Sequence, residues 1–174
     1  MRYKLTFPVL ALLLLPGLAF AEDHSFSASA SNCAPSGFLG NLTTVEYWAE
    51  GTVLNRSTTN SQAWTCPVDN LYEGSGTADW QLTPFALTAG VQVQDWSESE
   101  HLRCQSFSRT ISGGWSWTVF ENAFATPEET GVRTMGVPSP LIRETDNVSI
   151  MCVVPPVTHT FASSLVGYYA IYKD

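Results

Sequence analysis

The chain has 174 residues, sixteen acids against eight bases, and four cysteines. That length suits one domain with a substantial core of its own. Its few bases are scattered along the sequence, which argues against nucleic acid or an anionic membrane surface as a partner, since both require clustered positive charge.

Residues 1–21 read as a signal peptide. Arg2 and Lys4 precede an apolar run over residues 5–15, Pro16 and Gly17 break it, and Ala19-Phe20-Ala21 forms a small-x-small cleavage site. The run is too short to span a bilayer, so no membrane insertion is expected after cleavage. The expected location is secreted or periplasmic. Cleavage removes two bases and no acid, leaving 153 residues with six bases against sixteen acids, a formal charge of −10.

Residues 22–31, rich in Ser and Ala, are expected to form a flexible arm, with a single domain over residues 32–174. Nothing in that domain sustains a helical period. Short apolar or alternating runs are instead separated by Gly, Pro, Ser, Thr and Asn, the pattern of strands and turns. The candidate strands, in order, are 45–54, 63–66 (stopped by Pro67), 80–87 and 91–96. They continue with 102–107, 115–120 after the Gly113-Gly114 turn, 148–154 and 165–172. In the fourth, Val91, Val93 and Asp95 share one face. In the seventh, Ile150, Cys152 and Val154 do. Seven or eight such strands predict an all-β, antiparallel two-sheet sandwich of jelly-roll or immunoglobulin-like type, with a closed barrel as the alternative. Residues 123–146 show no strand signal and read as a long loop.

Four cysteines in an exported chain are expected to form two disulfides. Three connectivities are open, and loop-closure entropy does not separate them. Proximity in the chain favours Cys33–Cys66 and Cys104–Cys152. With no close pair of cysteines, a metal site built on them is not expected, and no cofactor motif is present.

Laid out in this way, the chain resembles a loose group of uncharacterised secreted bacterial proteins. The residues that carry the resemblance are Gly51-Thr52-Val53-Leu54-Asn55-Arg56-Ser57, Cys66-Pro67-Val68, Val91-Gln92-Val93-Gln94-Asp95, Cys104, Cys152-Val153-Val154-Pro155 and Ser163-Ser164-Leu165-Val166-Gly167-Tyr168. The resemblance implies a β-rich secreted fold and brings no site with it.

No nucleophile elbow, zinc-protease helix, phosphate loop or dinucleotide fingerprint occurs. A hydrolase is the alternative reading, built on His101, Asp95 and a serine, and clustering of those groups in the fold would favour it. The segment 95–101 is rich in carboxylates, but it lacks the glycine and spacing of a calcium loop and reads as a solvated acidic turn. Six tryptophans are the most suggestive feature. Trp115 and Trp117 stand two apart on an expected strand, so their rings share a face. Exposed, such a pair could stack on sugar rings; buried, it would be core. The sequons at Asn41, Asn55 and Asn147 are expected to be unused. The expected role is therefore an exported, non-catalytic binding or structural module whose partner is an extracellular glycan or protein.

Overall fold

The structure is a computed structural model that describes residues 24–36, 44–68, 86–110, 112–126, 129–139, 147–158 and 160–173. The expected signal peptide, Asn41, Trp80, Arg143 and His159 lie outside these residues.

Among the described residues twelve strands, β1 to β12, form two antiparallel sheets that pack face to face and do not close into a barrel. The first sheet contains β1 (His24–Ser29), β3 (Val45–Tyr47), β4 (Val53–Asn55), β6 (Ala86–Asp95), β10 (Gly131–Val137) and β12 (Ser164–Lys173), in the order β10-β6-β12-β4-β3 with β1 also on β12. The second contains β2 (Ala34–Pro35), β5 (Gln62–Val68), β7 (Arg103–Arg109), β8 (Trp115–Trp117), β9 (Glu121–Asn122) and β11 (Asn147–Val154). Its order is β2-β5-β11-β7-β8, with β9 also on β7. A single turn of 3-10 helix, Ala30–Asn32, follows β1.

Period-two alternation places the core as the sequence predicts. Val91, Val93 and Asp95 of β6 are buried, as are Ile150, Cys152 and Val154 of β11. The disulfides Cys33–Cys66 and Cys104–Cys152 are both in this core, and Cys104 stands directly opposite Cys152 across β7 and β11. Asn55 ties the two sheets together. Its buried amide donates to the carbonyls of Val154 (3.1 Å), Pro155 (3.1 Å) and Asn60 (2.8 Å). An amide nitrogen so engaged cannot carry a glycan in the folded protein.

Four expectations are corrected. Residues 24–29, assigned to a flexible arm, form β1 in full register with β12, because Phe26 and Ala28 alternate inward among the serines and pack on the core. The run 45–54 is a hairpin of β3 and β4 rather than one strand. Gly51, at φ +87°, makes the turn by donating to the Trp48 carbonyl, and its amide conformation suits glycine alone. β5 continues through Pro67, which lies past Trp64 and Thr65, the residues that β2 pairs, so no ladder bond to β2 is lost there. The long loop contains β10, an edge strand whose glycines and polar residues hide its pattern, and which buries only Met135 and Val137.

Candidate functional site

On β7 the even residues Cys104, Ser106 and Ser108 face the core, so Arg103, Gln105, Phe107 and Arg109 face outward. The short strand β8 pairs with the far end of β7, setting Trp117 opposite Phe107 and Trp115 opposite Arg109. The turn between them is closed by Thr110, whose Oγ1 accepts from the Gly114 amide at 2.9 Å, with Gly113 at φ +89°. Beyond Trp117 the ladder is carried by Thr118. Its amide donates to the Ser106 carbonyl, and its Oγ1 accepts from the Ser106 amide at 3.0 Å. The edge strand is thereby held down without burying its aromatic residues.

The result is a platform of three rings on the outside of the second sheet. Trp117 stacks on Phe107 with centroids 4.7 Å apart and planes 28° apart. Trp115 stacks on Trp117 at 5.6 Å and 16°, and Phe107 lies 5.7 Å from Trp115 at 38°. Trp115 and Trp117 each remain 53% exposed, and Val119 and Phe120 extend the apolar edge beyond them. Burying a large aromatic ring is strongly favourable, so two half-exposed indoles side by side mark a surface suited to a partner. Of the other described tryptophans, Trp64 is fully buried, Trp96 is half-buried with its ring 5.5 Å from that of Phe161, and Trp48 donates from Nε1 to Glu46 at 2.8 Å. That bond, together with the stronger one from Arg56, holds the Glu46 carboxyl below the usual carboxylate range.

Asp95, His101 and a serine do come together, but not as a relay. The Asp95 carboxylate is 0% exposed and lies between its two partners. Its Oδ1 accepts from Ser163 Oγ at 2.8 Å, and its Oδ2 lies 3.3 Å from His101 Nδ1. Ser163 is 1% exposed, gives its proton to Asp95 and accepts the Trp96 amide, so no base is placed to activate it. Asp95 also accepts from the amides of Ser97 (3.2 Å) and Leu102 (2.9 Å). Its work is to fold the 95–102 loop back onto β6. Asp95→Asn should therefore cost about 1–3 kcal/mol, because the new NH2 must face a donor in a buried site. An unchanged urea midpoint would refute this structural role.

Glu98 and Glu100, from the same acidic run, are exposed, and Glu100 accepts from Ser61 Oγ at 2.7 Å. Among the described residues no three of His, Cys, Asp and Glu converge on a point that could hold a metal ion. No described helix is long and apolar enough to cross a membrane.

No protein-family model matches the chain, and no curated protein matches it. Among solved structures it is similar to a xylan-binding module, CBM15, at 9% identity over 87% of this chain and 97% of that one, with a TM-score of 0.48. It is also similar to the CBM22-1 xylan-binding domain from Paenibacillus barcinonensis Xyn10C, at 11% identity, 85% and 92% coverage and a TM-score of 0.42. A third is TmCBM61 in complex with beta-1,4-galactotriose, at 7% identity, 86% and 88% coverage and a TM-score of 0.40. Likenesses at this level assign no ligand to this chain.

Proposed function

We propose that the protein is an exported, non-catalytic β-sandwich that binds a glycan on the platform of Phe107, Trp115 and Trp117. The observation that carries the reading is the cluster of three rings, with Trp117 stacked on both Phe107 and Trp115 and both indoles half exposed. A pyranose ring presents a flat C–H face that excludes water well against an indole, while its hydroxyls remain free to bond at the rim. Strand pairing locks the rings in advance, so little side-chain entropy is lost on binding. The disulfides accord with an oxidising compartment. The non-catalytic part of the reading is supported by Ser163, which is buried and gives its proton to Asp95 rather than to His101.

The test is a tryptophan-fluorescence titration of the oxidised protein against a panel of oligosaccharides and polysaccharides. A saturable shift is expected, and Trp117→Ala should abolish it. Because Trp117 is half exposed, that substitution should cost about 1 kcal/mol of stability or less. A loss of several kcal/mol would mark the ring as core. Absence of any shift across the panel would turn attention to a protein partner.

A further inference from the structure

Acids outnumber bases two to one in this chain, yet the strands of the second sheet depart from that balance. Across all six of them there is one acid, Glu121, against two arginines, Arg103 and Arg109. Glu121 stands opposite Cys104, whose side chain is in the core, so alternation points it away from the face that holds Phe107. The outer face of the sheet is thus free of carboxylates in its strands.

The two arginines differ in their surroundings. Arg103 lies over the Phe120 ring at 5.2 Å, and it shares a niche of about 110 Å³ with Glu100, His101 and Asn122. Arg109 lies over the Trp115 ring, its guanidinium carbon 5.1 Å from the centroid. Among the described residues no carboxylate lies within 4.0 Å of the Arg109 guanidinium. A guanidinium lying over an indole keeps its in-plane N–H donors available, and their fork matches a carboxylate. Arg109 is therefore a cation held against the rim of the aromatic stack, and no carboxylate among the described residues meets it.

We propose that the platform takes an acidic glycan, a uronate-bearing chain, with a sugar stacked on Trp115 and Trp117 and a carboxylate held by Arg109. This rests on the glycan-stacking reading and names its ligand class. One cation per aromatic stack suits a ligand with one carboxylate per sugar. A heavily sulfated chain would bring several charges per unit against a protein whose net charge is −8. Beyond about 8 Å the repulsion from that net charge is largely screened at physiological salt, whereas the short contact to Arg109 is not.

The experiment titrates the oxidised full chain with polyuronates of several backbones, the methyl esters of the same chains, neutral oligosaccharides and a sulfated polysaccharide. The acid form should bind about tenfold tighter than its ester, the size of one charge-assisted bond. Arg109→Gln, at an exposed position, should remove the preference, so that acid and ester bind the variant equally. Trp117→Ala should abolish both. Equal affinity for acid and ester, or an Arg109→Gln variant that keeps the preference, overturns the acidic class and leaves the stacking platform standing. Tighter binding of the sulfated chain than of every polyuronate overturns the carboxylate. Failure of every glycan, neutral ones included, overturns both readings.

Discussion

Trp64→Ala is expected to destabilise the domain by about 3–5 kcal/mol, the range for truncating a buried aromatic side chain. Trp64 is 0% exposed in the middle of β5, directly opposite Cys152 on β11, and Tyr47 meets its ring edge-on at 5.5 Å. Removing the indole leaves a cavity beside the Cys104–Cys152 bond that neither sheet can fill without shifting. Domains of this size have a total stability of roughly 5–15 kcal/mol, so the variant would lose a large share of it. Urea unfolding followed by circular dichroism measures this directly. A loss below about 1 kcal/mol would mean that the ring is not packed as described. The contrast with Trp117→Ala is the sharper point, since the same chemical change on the outer face should leave folding nearly untouched.

Replacing Cys104 and Cys152 together by Ala is the second large effect, a loss of about 2–5 kcal/mol. The two cysteines are 48 residues apart in the chain, and the bond between them limits how far the unfolded chain can spread. In the folded state they are already neighbours across β7 and β11, whose ladder runs from Asn147 opposite Arg109 to Val153 opposite Arg103. The double variant should therefore still fold, with a lower urea midpoint and a steeper denaturant dependence, because its unfolded state is more open. It should also keep its fluorescence response to ligand, since Phe107 and Arg109 are placed by strand pairing. An unchanged midpoint would show that the ladder alone restricts the unfolded chain. Loss of the ligand response in a folded variant would show that the bond positions the platform.

Much of the architecture is legible in the residues because strand periodicity is a local property. The faces of β6 and β11 follow from Val91, Val93 and Asp95, and from Ile150, Cys152 and Val154. The weaker strands were not legible. β1 is half serine, with only Phe26 and Ala28 to pack inward, and relies on the ladder that β12 offers, and β10 has two glycines in seven residues and depends on β6 in the same way. At Leu165 to Gly167 a register irregularity in β12 resets the alternation, so that Tyr168 and Ala170 turn inward. No simple period-two reading anticipates that shift.

The site divides along the same line. That Trp115 and Trp117 share a face follows from their spacing alone, since two residues is one full period of a strand. Phe107 and Arg109 gave no local signal, because they join the rings only through the pairing of β7 with β8. Asp95, His101 and Ser163 could be read as a hydrolytic set until folding placed the carboxylate between the other two. The β class and the pairing of aromatic residues on one face are thus written in the chain, because composition and period are properties of neighbours. Which face meets the other sheet and which meets water is not. Alternation defines two faces without naming either, and Trp64 and Trp117 are told apart only when the second sheet covers one of them.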